Sequence, residues 1–172
     1  RFARIVAAEG RGRGLQPVQW QALTYLRTAN RFSRTAKALT AWLGQTKGSV
    51  SQTIITLEQK GLLTRRQDLD DQRVIRLELT DAGCAMLDAP PPSMSTSMLS
   101  HLSGAERDAF MALITKMLVA TIERQGGRPF GQCRTCRHFE AMAEPDAYRC
   151  ALLEVRLSDE DSRHICYEQV AA

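Results

Sequence analysis

No apolar run in these 172 residues approaches the ~18 needed to cross a bilayer, so no membrane span is expected. No secretory leader is visible, in a chain that opens on Arg1 rather than Met. Histidine is scarce: there are three, none in a recognisable nucleophile motif, which argues against a Ser/His/Asp hydrolase. No internal repeat is present. Cysteine is nearly absent from the first 130 residues, where Cys84 stands alone, and then becomes frequent. Four clustered cysteines suit ligation rather than the disulfide framework of a secreted domain, and the expected location is the cytoplasm. What remains, 44% hydrophobic and 24% charged, suffices for a real core in one or two small domains.

Charge is unevenly spread. Residues 1–37 carry eight Lys/Arg against one acid, whereas residues 38–127 carry nine against ten and residues 128–172 six against eight. A basic front segment suits a polyanionic partner or, more plainly, a solvated basic face; charge alone does not separate the two.

Residues 1–9 read as helical, and the glycines at 10, 12 and 14 break that helix. Pro17 suits a first helical turn, and Trp20, Leu23, Tyr25 and Leu26 carry an apolar stripe to about Asn30. Ser33 is the expected N-cap of a second helix over 34–43. After Gly44 a third helix runs from about Thr46 to Lys60, with Val50, Ile54 and Leu57 on one face and Gly61 placed to end it. The period then changes to two. Leu62–Arg66, a polar loop rich in Asp, and Val74–Thr80 read as a hairpin, with Ile75, Leu77 and Leu79 expected inward. A helix from Asp81 to Ala89 stops at Pro90-Pro91-Pro92, and a short helix is expected to end near His101. Ser103 and Glu106 match a capping box opening a helix with Phe110, Leu113, Ile114, Met117, Leu118 and Ile122 on a stripe. Gly126-Gly127-Arg128-Pro129 ends it and links to the cysteines. The fold expected is mainly α: a winged helix-turn-helix with a hairpin wing at about 62–80, a helical dimerisation region, and a small metal-binding module. The expected boundary divides 1–127 from 128–172.

Two helices around a glycine turn lay the second across the major groove of duplex DNA. Its exposed N-terminal positions would be Thr46, Lys47, Ser49, Ser51, Gln52 and Thr53. Gln52 has the amide that pairs with adenine, Lys47 reaches guanine or phosphate, and the hydroxyls suit either. In the hairpin, Arg65, Arg66, Arg73 and Arg76 flank a loop carrying Asp68, Asp70 and Asp71. A wing-tip arginine fits the narrow minor groove, and an aspartate beside it holds its shape. An ordinary surface helix and hairpin with routine ion pairs would read similarly.

The sequence resembles the MarR family of winged-helix regulators. Leu57-Glu58-Gln59-Lys60-Gly61-Leu62-Leu63-Thr64-Arg65 is similar to the family's junction of recognition helix and wing. Asp68-x2-Asp71-x-Arg73, then Leu79-Thr80-Asp81-Ala82-Gly83, is similar to its wing and wing exit, and Thr46–Gln52 to its recognition-helix start. The resemblance covers roughly 15–125. It implies a homodimeric DNA-binding transcriptional regulator, usually a repressor, on a palindromic operator, with a small-molecule effector possible. It implies Arg73 as the minor-groove residue, Asp71 as the residue that structures it, and dimerisation through helices at about 1–9 and 104–125. Two features depart from the family: Pro90–Pro92 interrupt the long helix after the wing, and the cysteines lie beyond the usual end.

Those cysteines read Cys133-x2-Cys136-x13-Cys150-x15-Cys166. Four thiolates are the ligand number of a closed zinc site or an iron–sulfur cluster, and a module this small gains folding energy from a metal. Zinc is the first choice and an iron–sulfur cluster the alternative; a metal-free thiol switch ranks below both. Phe139, Tyr148, Leu152 and Tyr167 are expected to shield the site, and Arg134, Arg137 and Arg149 to offset its charge. His138 and His164 are close enough in sequence to replace a sulfur, though a surface or outer role suits them better. Cys84 is expected to be small and buried. A thiol oxidoreductase is disfavoured because no alternation of strand and helix surrounds Cys133-x2-Cys136, and four cysteines leave a zinc hydrolase no open position. The centre is either structural or sensory, and no enzyme is expected.

Overall fold

The computed structural model describes residues 13–69, 71–89, 99–127, 130–144 and 146–172. The helix expected at 1–9, Asp70 and the triple proline lie outside the described residues. Helix α1 spans Pro17–Thr28, with Pro17 at its first position and a capping box between Gln16 and Gln19. A 3-10 turn at Arg31–Ser33 leads to α2, Ala36–Leu43. The cap of α2 is Thr35, not Ser33 as expected, because the Ser33 hydroxyl is taken by the Tyr167 N–H at 2.8 Å. Gly44 (φ 61°) turns the chain in the left-handed region, and α3 follows at Lys47–Gln59 with Thr46 as its cap. Strands β1 (Leu63–Gln67) and β2 (Ile75–Leu79) pair antiparallel, Leu63 opposite Leu79 and Gln67 opposite Ile75. Only Leu77 of β2 is fully inward, and Ile75 is exposed, because the hairpin projects beyond the core at that end.

Helix α4, Asp81–Asp88, packs so closely on β1's approach that a Cβ at Gly83 would stand 2.1 Å from the Leu62 carbonyl oxygen. The Asp81-Ala82-Gly83 run is thus a packing requirement. Cys84, one residue on, is exposed rather than buried. Helix α5, Gly104–Arg124, opens on the expected Ser103/Glu106 box, and none of its residues is buried.

The cysteine-bearing part is more β-rich than its sequence suggests, since its strands are only two or three residues long. Strands β4 (Phe139–Ala141), β5 (Tyr148–Cys150) and β6 (Val155–Leu157) form an antiparallel sheet. Strand β3 (Gly131–Gln132) pairs with β7 (Ile165–Cys166), flanked by a 3-10 turn at Cys133–Thr135 and the short helix α6, Asp159–Arg163.

Leu23, Tyr25, Leu39, Leu57 and Leu63 centre a core shared by α1, α2, α3 and the hairpin, each burial contributing about 1.5–3 kcal/mol. Phe130, Ile165 and Tyr167 pack against this same core. The Phe130 ring meets Trp42 edge-on at 5.1 Å and Tyr25 at 6.1 Å, and lies 5.7 Å from Tyr167. A second, smaller core joins Cys133, Leu157 and Cys166 to Phe139, Tyr148 and, from the first part, Phe32. The two parts therefore share a seam. Residues 29–34 are its centre.

Candidate functional site

Helix α3 presents Thr46, Lys47, Ser49, Ser51 and Gln52 to solvent from its first turns. Thr46 Oγ1 accepts the Ser49 N–H at 3.2 Å and shares a hydrogen bond with Ser49 Oγ at 2.9 Å, so these two hydroxyls also hold the helix start. Thr53 differs from expectation. It is buried on the opposite face and its hydroxyl donates to the Ser49 carbonyl at 3.1 Å. Thr46, Lys47, Ser49, Ser51 and Gln52 are the residues this helix can offer to a groove.

The wing is built by two carboxylates. Asp68 accepts the Asp71 N–H at 3.1 Å on one oxygen and Arg76 Nε at 2.6 Å on the other. Asp71 receives Arg73 through Nε at 3.0 Å, Nη2 at 3.3 Å and the backbone N–H at 3.0 Å, which also hold its carboxyl below the usual carboxylate range. Arg73 is 91% exposed, the most accessible paired arginine of the hairpin. Arg65 is exposed and pairs with Glu58 at 3.2 Å. Arg76, placed by sequence among the DNA contacts, points inward instead: 19% exposed, it bonds Asp68 and the Phe32 carbonyl and so shapes the wing. Asp68 stood in the wing motif without this role, and Phe32 was not singled out by sequence, since nothing local marks a carbonyl 44 residues away as an arginine's acceptor.

The basic front segment is partly spent within the molecule. Arg27 pairs with Asp88 at 3.1 Å and Arg31 with the buried Asp161 at 2.8 Å.

Cys133, Cys136, Cys150 and Cys166 line one pocket with His138, Phe139, Leu152, Leu157 and Glu168. The Cys133 thiol donates to the Cys166 sulfur, which, with burial, pushes Cys133 up, and which brings Cys166 down to about 6 against the opposing effect of burial. Asn30 Nδ2 donates to Cys133 Sγ at 3.3 Å, and the Val170 N–H lies 3.5 Å from Cys136 Sγ. Among the described residues, no three His, Cys, Asp or Glu side chains stand in the geometry of a formed metal site. Cys133 and Cys166 stand instead as a hydrogen-bonded pair, with Cys136 and Cys150 as neighbours in the pocket. The donor set nonetheless suits a soft metal: four sulfurs, N–H groups aimed at two of them, and apolar walls. His138 lines the pocket, whereas His164 lies 3.9 Å from Glu160. Of the expected shields, Phe139 and Leu152 line the pocket and Tyr148 stacks on Phe139 at 5.1 Å. Tyr167 turns to Phe130 instead. Arg134 pairs with Asp159 and Arg149 with Glu140, which takes up much of their charge. Asn30 is the residue that sequence missed, because its partner is 103 residues away.

Residues 13–74 match the sequence profile described as MarR family. That segment, the winged helix, is similar to the MarR family. The transcriptional regulator HosA of Escherichia coli O111:H- is 35% identical over 78 residues, 44% of this chain and 58% of that relative. The chain thus spans little more than half the length of the curated relative it matches. Among solved structures, an S. aureus MepR–DNA complex is 29% identical with a TM-score of 0.52, covering 62% of this chain and 80% of that one. MepR in its DNA-binding conformation gives 27% and 0.54, over 63% and 81%. A probable transcriptional regulator from Pseudomonas aeruginosa gives 26% and 0.52, over 67% and 90%. Among the described residues, no helix is long and apolar enough to cross a membrane.

Proposed function

We propose that this MarR-type chain is a homodimeric, sequence-specific transcriptional repressor whose four C-terminal cysteines hold zinc. The observation that carries the DNA reading is the exposed Arg73, clamped by Asp71 at the tip of the wing, together with the exposed first turns of α3. An arginine pre-oriented by a carboxylate reaches a minor groove at little entropic cost, while Lys47 and Gln52 meet base edges in the adjoining major groove. Homodimerisation is supported by α5, where Leu113, Met117 and Leu118 are each more than half exposed. A selection from a random duplex pool, followed by titration across salt concentrations, tests the reading. One enriched palindromic sequence with steep salt dependence is expected, and uniform recovery of all duplexes would reject it. On that sequence Arg73→Ala should weaken binding by about 1–3 kcal/mol with the melting temperature unchanged.

Zinc would be held by Cys133, Cys136, Cys150 and Cys166, and supplies a tetrahedral cross-link rather than chemistry. Binding it releases the thiol protons, so uptake should strengthen with rising pH. Four sulfurs suit an iron–sulfur cluster as well, and a colourless protein with one zinc per chain distinguishes the two. Cys150→Ser should lose most of that zinc, while Cys84→Ser, remote from the pocket, should keep it. Stoichiometric zinc in Cys150→Ser would bring the neighbouring His138 into the ligand set.

A further inference from the structure

We infer that the cysteine centre and the DNA-facing wing are two ends of one hydrogen-bonded relay through residues 29–34, with Asn30 as the positioning residue for the centre. The inference rests on the reading of the cysteines as a metal site and of the wing as a DNA contact.

The turn is gripped from the cysteine side at several points. Asn30 is 1% exposed, and its backbone N–H donates to the Ile165 carbonyl at 2.8 Å. Its amide nitrogen donates to Cys133 Sγ, while its amide oxygen accepts the Ser33 N–H at 2.9 Å. Ser33 Oγ accepts the Tyr167 N–H, so both neighbours of Cys166 are bonded to the turn. Arg31 is fixed by Asp161 and by the Arg156 carbonyl at 2.8 Å.

The same residues hold the wing. Phe32 packs its ring against the cysteine cluster and offers its carbonyl to Arg76. Arg34 offers its carbonyl to the Leu77 N–H at 2.7 Å. Arg76 holds Asp68, Asp68 holds the Asp71 backbone, and Asp71 clamps Arg73. Every link is a direct contact.

The centre's state enters through Cys133. The Asn30 amide donates to Cys133 Sγ at 3.3 Å, and a sulfur that held zinc would accept that N–H more strongly than a free one. Cys166, if it held the metal, would anchor its neighbours Ile165 and Tyr167, both bonded to the turn. The loaded centre therefore tightens the turn, the turn fixes Arg76, and the wing is held in its DNA-binding shape. Contiguity of contacts alone does not prove coupling, so the measurement must be of coupling itself.

The test compares full-length protein reconstituted with Zn2+ and the same protein stripped by a chelator. Operator affinity should fall about fivefold or more on stripping. Asn30→Asp keeps the oxygen that caps Ser33 but turns a carboxylate toward the sulfur. In that variant the loaded-to-stripped affinity ratio should collapse toward one while duplex binding persists. Amide hydrogen exchange on the wild type needs no variant: stripping should speed exchange at Leu77, on the wing side of the turn, as well as at Tyr167. An unchanged affinity ratio in the wild type, with zinc bound stoichiometrically and the operator recognised, would overturn the relay alone. Exchange that rises at Tyr167 but not at Leu77 would do the same. Failure to bind zinc, or failure to select any duplex, would overturn the underlying reading together with the relay.

Discussion

A chain cut after Gln125 is expected to melt at least ~10 °C below the full-length protein, although every helix and strand of the winged helix is retained. The cut removes Phe130, Ile165 and Tyr167 from the main core. Tyr25, fully buried in the intact chain, then loses the Phe130 edge, and Trp42 loses the same ring from its other side. Removing a fully buried aromatic side chain costs about 3–5 kcal/mol, and three partly buried side chains lost together approach that, a large share of the ~5–15 kcal/mol that holds a domain together. Burial also pushes the Tyr25 phenol up, and its hydroxyl donates to the Ser33 carbonyl at 2.8 Å, a bond that loosens once the turn loses Tyr167. Thermal unfolding of the two chains side by side measures the effect. Superimposable transitions would mean that the C-terminal part rests on the winged helix without supporting it.

Substituting Leu113→Glu and Met117→Glu together should convert the proposed dimer to a monomer and lower affinity for the selected duplex more than 100-fold. These positions lie one turn apart on α5 and are 63% and 70% exposed. Interface anchors of this kind contribute about 2 kcal/mol or more each, and two buried charges facing their own copies add repulsion. Light scattering at micromolar concentration reports the first effect and fluorescence anisotropy on the selected duplex the second. A double variant that stays dimeric would place the subunit contact elsewhere and leave the stripe on α5 without an assigned partner. The fold of the remainder should be untouched, since α5 buries none of its residues.

The local features of the winged helix were legible because each is encoded within a few residues. The Gly44 turn, the Gly61 stop (φ 68°) and the Ser103/Glu106 box all stand where their spacing put them. Of the six positions expected on the exposed face of α3, all but Thr53 are exposed. It sits between Val50 and Ile54 on the inward side, and one position of helical phase separates it from Gln52. Arg76 misled for a different reason: alternation in a strand tells which face a side chain takes, not which carbonyl awaits it there. The gathering of four cysteines followed from their number, but the seam did not. Asn30, Ser33 and Ile165 bear no mark of one another, because non-local partners leave no periodicity in a sequence.

The seam also sets an order of assembly. Phe130 is made long after Trp42, and Tyr167 is the last of the aromatic group to be made. At ~5–20 residues per second, roughly 6–25 s separate the synthesis of Trp42 from that of Tyr167. For that interval the recognition helix and wing exist with an unsealed aromatic face and a turn at 29–34 that has no outer partner. Nascent or interrupted chains therefore display a hydrophobic surface that finished ones hide, which is the feature chaperones and proteases recognise. A late-closing seam makes synthesis past Tyr167 a checkpoint on how much folded protein accumulates.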